Sequence, residues 1–226
     1  MAKRNFVLVH GAWHGGWCWR RVSDILTGRG HRVFTPSLTG LAERSHLLSE
    51  SVNLSTHIAD VVNLLRWEEL DDILLCGHSY GGLVVTGAAD RAPERIASLV
   101  YLDAFVPENG QAMREITTRQ LPQTLAVPPV PAAAFMVNEK DRAWVDRQCT
   151  PHPNGTLNEK IALSGAWRSI KRKTYIRAAG YASAPFDAYF NRFKAEPGWS
   201  ATSLPCGHDV MIDMPERLAE LLEAAL

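Results

Sequence analysis

The chain has 226 residues, which suits one large domain and allows about 70–75% of the unfolded surface to be buried. Its 24 Lys+Arg balance 24 Asp+Glu to a formal net charge of zero, so it lacks the basic stripe that nucleic acid or an anionic membrane requires. A composition 46% apolar and 21% charged excludes disorder, and four scattered cysteines without a CxxC pair argue against a zinc site or redox motif; seven tryptophans are a heavy aromatic load.

The first apolar run, Phe6–His10, reads as a strand; it is too short for a signal-peptide core, and a cytoplasmic location is expected. It leads into His10-Gly11-Ala12-Trp13-His14-Gly15-Gly16-Trp17, a glycine-rich loop without the Lys-Ser/Thr of a phosphate cradle and without G-x-G-x-x-G spacing. A second strand is expected over His31–Thr35. In the helix from Ser55 to Trp67, Ile58, Val61, Val62 and Leu65 recur at helical spacing, with Ser55 as the expected N-cap. The third strand, Asp72–Cys76, runs into Gly77-His78-Ser79-Tyr80-Gly81-Gly82. The uncharged stretch around it, Ile73 to Ala89, contains His78, Ser79 and four glycines and makes a poor membrane helix.

Further strands are expected over Ile96–Leu102, Arg172–Ala179 and Trp199–Leu204, and a closing helix from Asp213-Met214-Pro215-Glu216. These runs are apolar on consecutive residues, which suits strands buried on both faces of a mostly parallel, six-stranded sheet flanked by helices. Between Pro107 and Pro153 stand seven of the thirteen prolines and no convincing strand. Residues 107–170 are therefore read as an ordered insertion of short helices and loops, capping a core formed by 1–106 and 171–226.

Gly-x-Ser-x-Gly between a strand and a helix is the spacing of a nucleophile on a sharp turn, where only tiny residues let strand and helix approach. Ser79 is the candidate nucleophile. A serine needs a base, and His208, just past the last strand, is the best placed of eight histidines. His10 and His78 are read as shaping the site, and His14, His31, His46, His57 and His152 as surface or locally hydrogen-bonded groups. The oxyanion formed on attack needs fixed donors, for which the amides of Tyr80 and Ala12 are expected.

These motifs, with Gly40-Leu41-Ala42-Glu43-Arg44-Ser45, Tyr101-Leu102-Asp103-Ala104-Phe105-Val106-Pro107 and Gly207-His208-Asp209, resemble the α/β-hydrolases over essentially the whole chain. Within them the chain resembles the subfamily of plant methyl esterases and hydroxynitrile lyases and their bacterial esterase relatives. The resemblance implies a parallel sheet, a small helical cap, a Ser-His-acid triad and no cofactor; no metal is expected either, on the cysteine spacing. Most of that family takes its acid after the strand that here is Arg172–Ala179, but no carboxylate follows until Asp187. Asp103, at the end of the preceding strand, is the expected acid, with Asp187 as the alternative and a helix-cap role for Asp103 the blander reading.

Lyases of that subfamily carry lysine after the histidine and threonine in the oxyanion loop, where this chain has Asp209 and Ala12. The expectation is a serine carboxylesterase for small apolar or aromatic esters, working through an acyl-enzyme. A lyase or cofactor-free oxygenase on the same fold, or a ligand-sensing receptor, are the alternatives. Trp13, His78 and Trp144 are candidate substrate contacts, and Trp13, Trp17, Trp19, Trp144 and Trp167 are expected to surround Ser79. An apolar cap surface could pair two subunits as a homodimer.

Overall fold

A computed structural model describes residues 3–117 and 120–226. In chain order, β1 (Asn5–Val9) leads through a 3-10 turn at Gly16–Trp19 to α1 (Arg20–Gly28) and β2 (Arg32–Phe34). Then come α2 (Leu54–Trp67), β3 (Ile73–His78), α3 (Gly81–Arg91) and β4 (Ile96–Leu102). The segment above the sheet contains α4 (Met113–Ile116), β5 (Ala126–Val127), α5 (Glu139–Gln148), β6 (His152–Pro153) and α6 (Gly155–Asn158). The chain returns as β7 (Arg172–Ala178), α7 (Ala184–Ala195), β8 (Trp199–Leu204), α8 (Val210–Asp213) and α9 (Pro215–Ala224).

The main sheet is parallel throughout, in the order β2-β1-β3-β4-β7-β8. All six residues of β3 are buried, as a central strand covered on both faces demands. Helix α1 packs with α9, α2 with α3, and α7 on β7 and β8. Register then decides what meets at the carboxyl edge. Val9 pairs with Gly77, His78 with Leu102, Leu102 with Ile176 and Ala178 with Leu204. The residues that follow, His10 to Ala12, Ser79, Asp103, Arg177 and His208, are thereby gathered at one edge.

Several boundaries differ from the sequence reading. β3 continues through Gly77 and His78, because both still pair with β4. The N-cap of α2 is Asn53, whose side chain accepts from the Thr56 amide while the Thr56 hydroxyl accepts from the Asn53 amide. Ser55 instead bonds Glu159 through both its hydroxyl and its amide. The closing helix is split: α8 ends at Asp213, Met214 leaves helical geometry, and α9 starts at Pro215, which cannot supply an amide donor to α8. Asp213 caps nothing there; its carboxylate accepts from the Asn138 and Gly207 amides.

The proline-rich segment contains a small antiparallel ribbon, β5 with β6, where no strand was expected. It is tied down by Arg21 on Asp141 at 2.7 and 2.8 Å, by Asp90 accepting from the amides of Ser164, Gly165 and Trp167, and by buried Val137, Val145, Leu157 and Ile161. No helix among the described residues is long and apolar enough to cross a membrane.

Candidate active site

Ser79 sits at φ +54°, a left-handed conformation that a non-glycine residue holds only when its surroundings enforce it. The enforcement is steric. A β-carbon on Gly77 would lie 2.6 Å from the Gly81 carbonyl oxygen, and one on Gly81 would lie 2.6 Å from that of His10. The strand-to-helix turn thus exists because these two positions are bare, and it lifts Ser79 above the sheet edge.

The Ser79 carbonyl accepts from the amides of Gly82 (3.0 Å) and Phe105 (3.2 Å). In a trans peptide the next N–H points the opposite way, so this pinning aims the Tyr80 amide. The same device recurs in the first loop: Nδ1 of His10 donates to the Gly11 carbonyl at 2.8 Å, which aims the amide of Ala12. Neither amide is bonded to another of the described residues. Gly11 must be bare, since a β-carbon there would meet Nδ1 of His78 at 2.9 Å and Cβ of Ser79 at 3.0 Å.

Nδ1 of His208 lies 2.6 Å from Oδ2 of Asp103, and both side chains are buried. The other oxygen, Oδ1, accepts from the guanidinium of Arg177 (2.8 Å) and from the amide of Ala178 (3.0 Å). Asp187, in the first turn of α7, is bonded to the same guanidinium at 2.9 Å but is 59% exposed and is not bonded to His208. The two carboxylates considered in the sequence therefore flank one buried arginine, with Asp103 on the histidine side. Arg177 was missed; the available signal was a cation at the carboxyl end of the strand, beyond Tyr175 and Ile176, where burial demands an acceptor.

Ser79 and His208 line one cavity with Ala12, Trp13, Phe105, Met113, Phe135, Leu157, Tyr181 and Phe186. The imidazole of His208 is enclosed by Phe186, stacked at 5.3 Å, Tyr181 at 4.8 Å and Phe135 at 5.4 Å. No Lys, Arg, Asp or Glu among the described residues lines this cavity. A depression bearing Lys171, Arg172, Lys173 and Trp199 lies at the opposite, amino end of β7 and β8 and holds none of these groups.

Two candidate substrate contacts are corrected. His78 does not line the cavity; its Nε2 donates to the His208 carbonyl at 3.0 Å beneath the site. Trp144 packs edge-on to Trp17 at 5.1 Å, with Arg21 over its face, because α5 presents it to α1 and not to Ser79. Trp17 stacks on His14, Trp19 is in the core, and Trp167 packs near Tyr101 and Trp199, so of the five tryptophans only Trp13 lines the cavity.

The histidines placed at the surface or in local roles are mostly interior: His14, His31, His57 and His152 are all buried. Burial pulls the imidazoles of His10 and His57 down, to about 3 and about 4, and lowers His152 as well. His78 falls well below its ordinary value, first through burial and then through the neighbouring His208.

Residues 6–221 match the profile of the alpha/beta hydrolase family. The chain belongs to that family. This hydrolase is 45% identical to the carbendazim hydrolyzing esterase of Nocardioides sp. (strain SG-4G) over 97% of its own length and 98% of that protein's. It is 35% identical to Methylesterase 1 of Arabidopsis thaliana, over 71% of this chain and 56% of that one. The solved structure of an extracellular alpha/beta-hydrolase from a Paenibacillus species superimposes with a TM-score of 0.84, 22% identity and 98% coverage of both chains. Matched to an esterase over nearly the full length of both chains, the hydrolase is a carboxylesterase.

Proposed function

We propose that this carboxylesterase is a serine enzyme in which Ser79 is the nucleophile, His208 the general base and Asp103 the acid. The observation that carries the reading is the 2.6 Å bond between His208 and Asp103. A carboxylate on Nδ1 fixes the tautomer with its proton there and leaves Nε2 as a free base in the cavity that Ser79 also lines. Ser79 attacks the ester carbonyl, His208 accepts its proton and passes it to the departing alcohol, and water then releases the acyl group by the reverse relay. The amides of Ala12 and Tyr80 receive the oxyanion. Both are pre-aimed through their neighbours' carbonyls, so little reorganisation is needed as charge develops.

A cavity walled by Trp13, Phe105, Phe135 and Phe186, with no Lys, Arg, Asp or Glu among its described lining residues, favours small uncharged esters with apolar or aromatic parts. Carbendazim, the compound in the relative's name, is the first to assay beside p-nitrophenyl esters. Residues 107–170 act as the cap that shapes this pocket, since Met113, Phe135 and Leu157 reach into it. A lyase reading loses support at the position after the base: Asp209 turns its carboxylate to His14 and supplies no cation to the cavity. Ser79→Ala should abolish p-nitrophenyl acetate turnover while circular dichroism stays native; undiminished turnover overturns the assignment.

A further inference from the structure

A neutral imidazole donates at one nitrogen and accepts at the other, so hydrogen-bond partners reveal which buried histidines carry charge. His10 donates to the Gly11 carbonyl and accepts from the Leu38 amide. His57 faces the Thr39 carbonyl with Nε2 and the Tyr80 hydroxyl with Nδ1. His152 accepts from the Trp13 amide and points Nε2 at the Thr156 hydroxyl. Each of these rings is satisfied as a neutral group.

His14 differs. Its Nδ1 lies 2.8 Å from the Ala12 carbonyl and its Nε2 lies 3.0 Å from Oδ2 of Asp209. Neither a carbonyl nor a carboxylate can donate, so both ring nitrogens must. The pair is almost wholly buried, at 3% and 0% side-chain exposure, and Trp17 stacks over the ring at 5.1 Å and 15°, as suits a cation on an indole face. The titratable neighbours of His14 are His78, 6.2 Å away ring to ring, and His10, both held neutral by burial, while Asp209 also faces His208, Cys18 and Cys149. Burial works against a charged His14, but the attraction of Asp209 outweighs it and raises the imidazole; Asp209 is held low in return. Oδ1 of Asp209 has no hydrogen-bond partner among the described residues, with Nε2 of His78 at 3.9 Å, so His14 is the side chain that holds the carboxylate. It also stands at the N-cap of α8 without capping it.

The placement gives the pair a task. The Ala12–Trp13 peptide is gripped on both sides, its carbonyl by His14 and its amide by His152, and the next residue, Trp13, is held at φ +67°. A non-glycine residue in that region relaxes unless held. Asp209 is the immediate neighbour of His208. We propose that His14, as an imidazolium paired with Asp209, is a positioning residue that clamps the Ala12 loop to the turn carrying His208. This rests on the reading that the Ala12 amide receives the oxyanion.

The test combines spectroscopy with kinetics. Nitrogen-15 NMR of the full chain near pH 7 should find both nitrogens of His14 protonated. In Asp209→Asn the ring should become neutral yet keep both bonds, donating to Ala12 and accepting from the new amide. That variant should retain kcat to within about tenfold, whereas His14→Phe, which keeps the stacking but loses both donors, should lose about 10²-fold in kcat with KM within about threefold, the scale of one misplaced oxyanion donor. A neutral His14 in the unaltered protein, a wild-type kcat for His14→Phe, or a loss expressed in KM overturns the clamp. If His14→Phe does not fold, the NMR comparison decides: a His14 ring that is neutral in the unaltered protein, or that stays doubly protonated in Asp209→Asn, overturns the clamp. An inactive Ser79→Ala beside a fully active His14→Phe sinks the clamp alone; an active Ser79→Ala sinks the catalytic reading beneath it.

Discussion

The two oxygens of Asp103 serve different partners: Oδ2 meets His208, and Oδ1 is occupied by Arg177 and the Ala178 amide. The guanidinium and the amide together hold Oδ1 and fix the plane of the carboxylate, so the histidine finds its acceptor in one orientation. Asp103 itself is at φ +42°, a second strained position at the sheet edge beside Ser79. Asp187 shares the arginine from the solvent side and holds it in place without reaching His208. Asp103→Asn should therefore lower kcat by about 10⁴-fold, by allowing the wrong tautomer, while Asp187→Asn should stay within about tenfold of the unaltered enzyme in the same p-nitrophenyl ester assay. The reverse ranking would move the acid to α7. The sequence favoured Asp103 over Asp187 without deciding between them, because a hydrogen bond to one ring nitrogen is satisfied equally well from either strand end.

At the scale of elements, the turn between β3 and α3 was readable because its requirement is local: two bare positions flanking a serine, between an apolar strand and a helix. Gly81→Ala tests it. The added methyl would lie 2.6 Å from the His10 carbonyl oxygen and 2.9 Å from that of Val9, backbone at and just past the end of β1, so strand and helix must separate. The expected cost is about 1–3 kcal/mol in urea unfolding, with a clear loss in kcat as Ser79 shifts against Ala12. An unchanged midpoint and rate would show that the approach of α3 to β1 is not limiting. Helix starts were less readable. Ser55 was an acceptable cap by residue type, but Asn53 forms a reciprocal box with Thr56, and Ser55 is claimed by Glu159 from 104 residues away. The tryptophans failed as pocket markers for a related reason. A large ring near the site in sequence packs wherever a complementary face is offered, and Trp17 and Trp144 found His14, Arg21 and each other.

For the whole molecule, the buried histidines set the acid limit of stability. A histidine kept neutral in the fold takes up its proton on unfolding, so its stabilising contribution is full above the unfolded value near 6.5 and is lost as pH falls toward the folded value. For His10 and His57, pushed to about 3 and about 4, the loss at pH 5 is about 2 kcal/mol each, against a total stability of about 5–15 kcal/mol; His78 and His152 act in the same direction. Tryptophan fluorescence should thus report unfolding with a midpoint between about pH 4 and 5.5, with uptake of several protons by potentiometry. A protein still folded at pH 3.5 would show that these rings are not held neutral. By itself the sequence determined the parallel α/β sheet, the tight turn that carries Ser79, the base candidate and the neutral character of the chain, because strand burial, glycine spacing and charge count are local or summed properties. The tertiary structure alone decided which carboxylate faces His208, that Arg177 stands behind it, that Trp144 and His78 leave the cavity, and that His14 pairs with Asp209. Each of those depends on strand register and on segments far apart in sequence competing for one partner, and neither periodicity nor composition encodes the outcome of that competition.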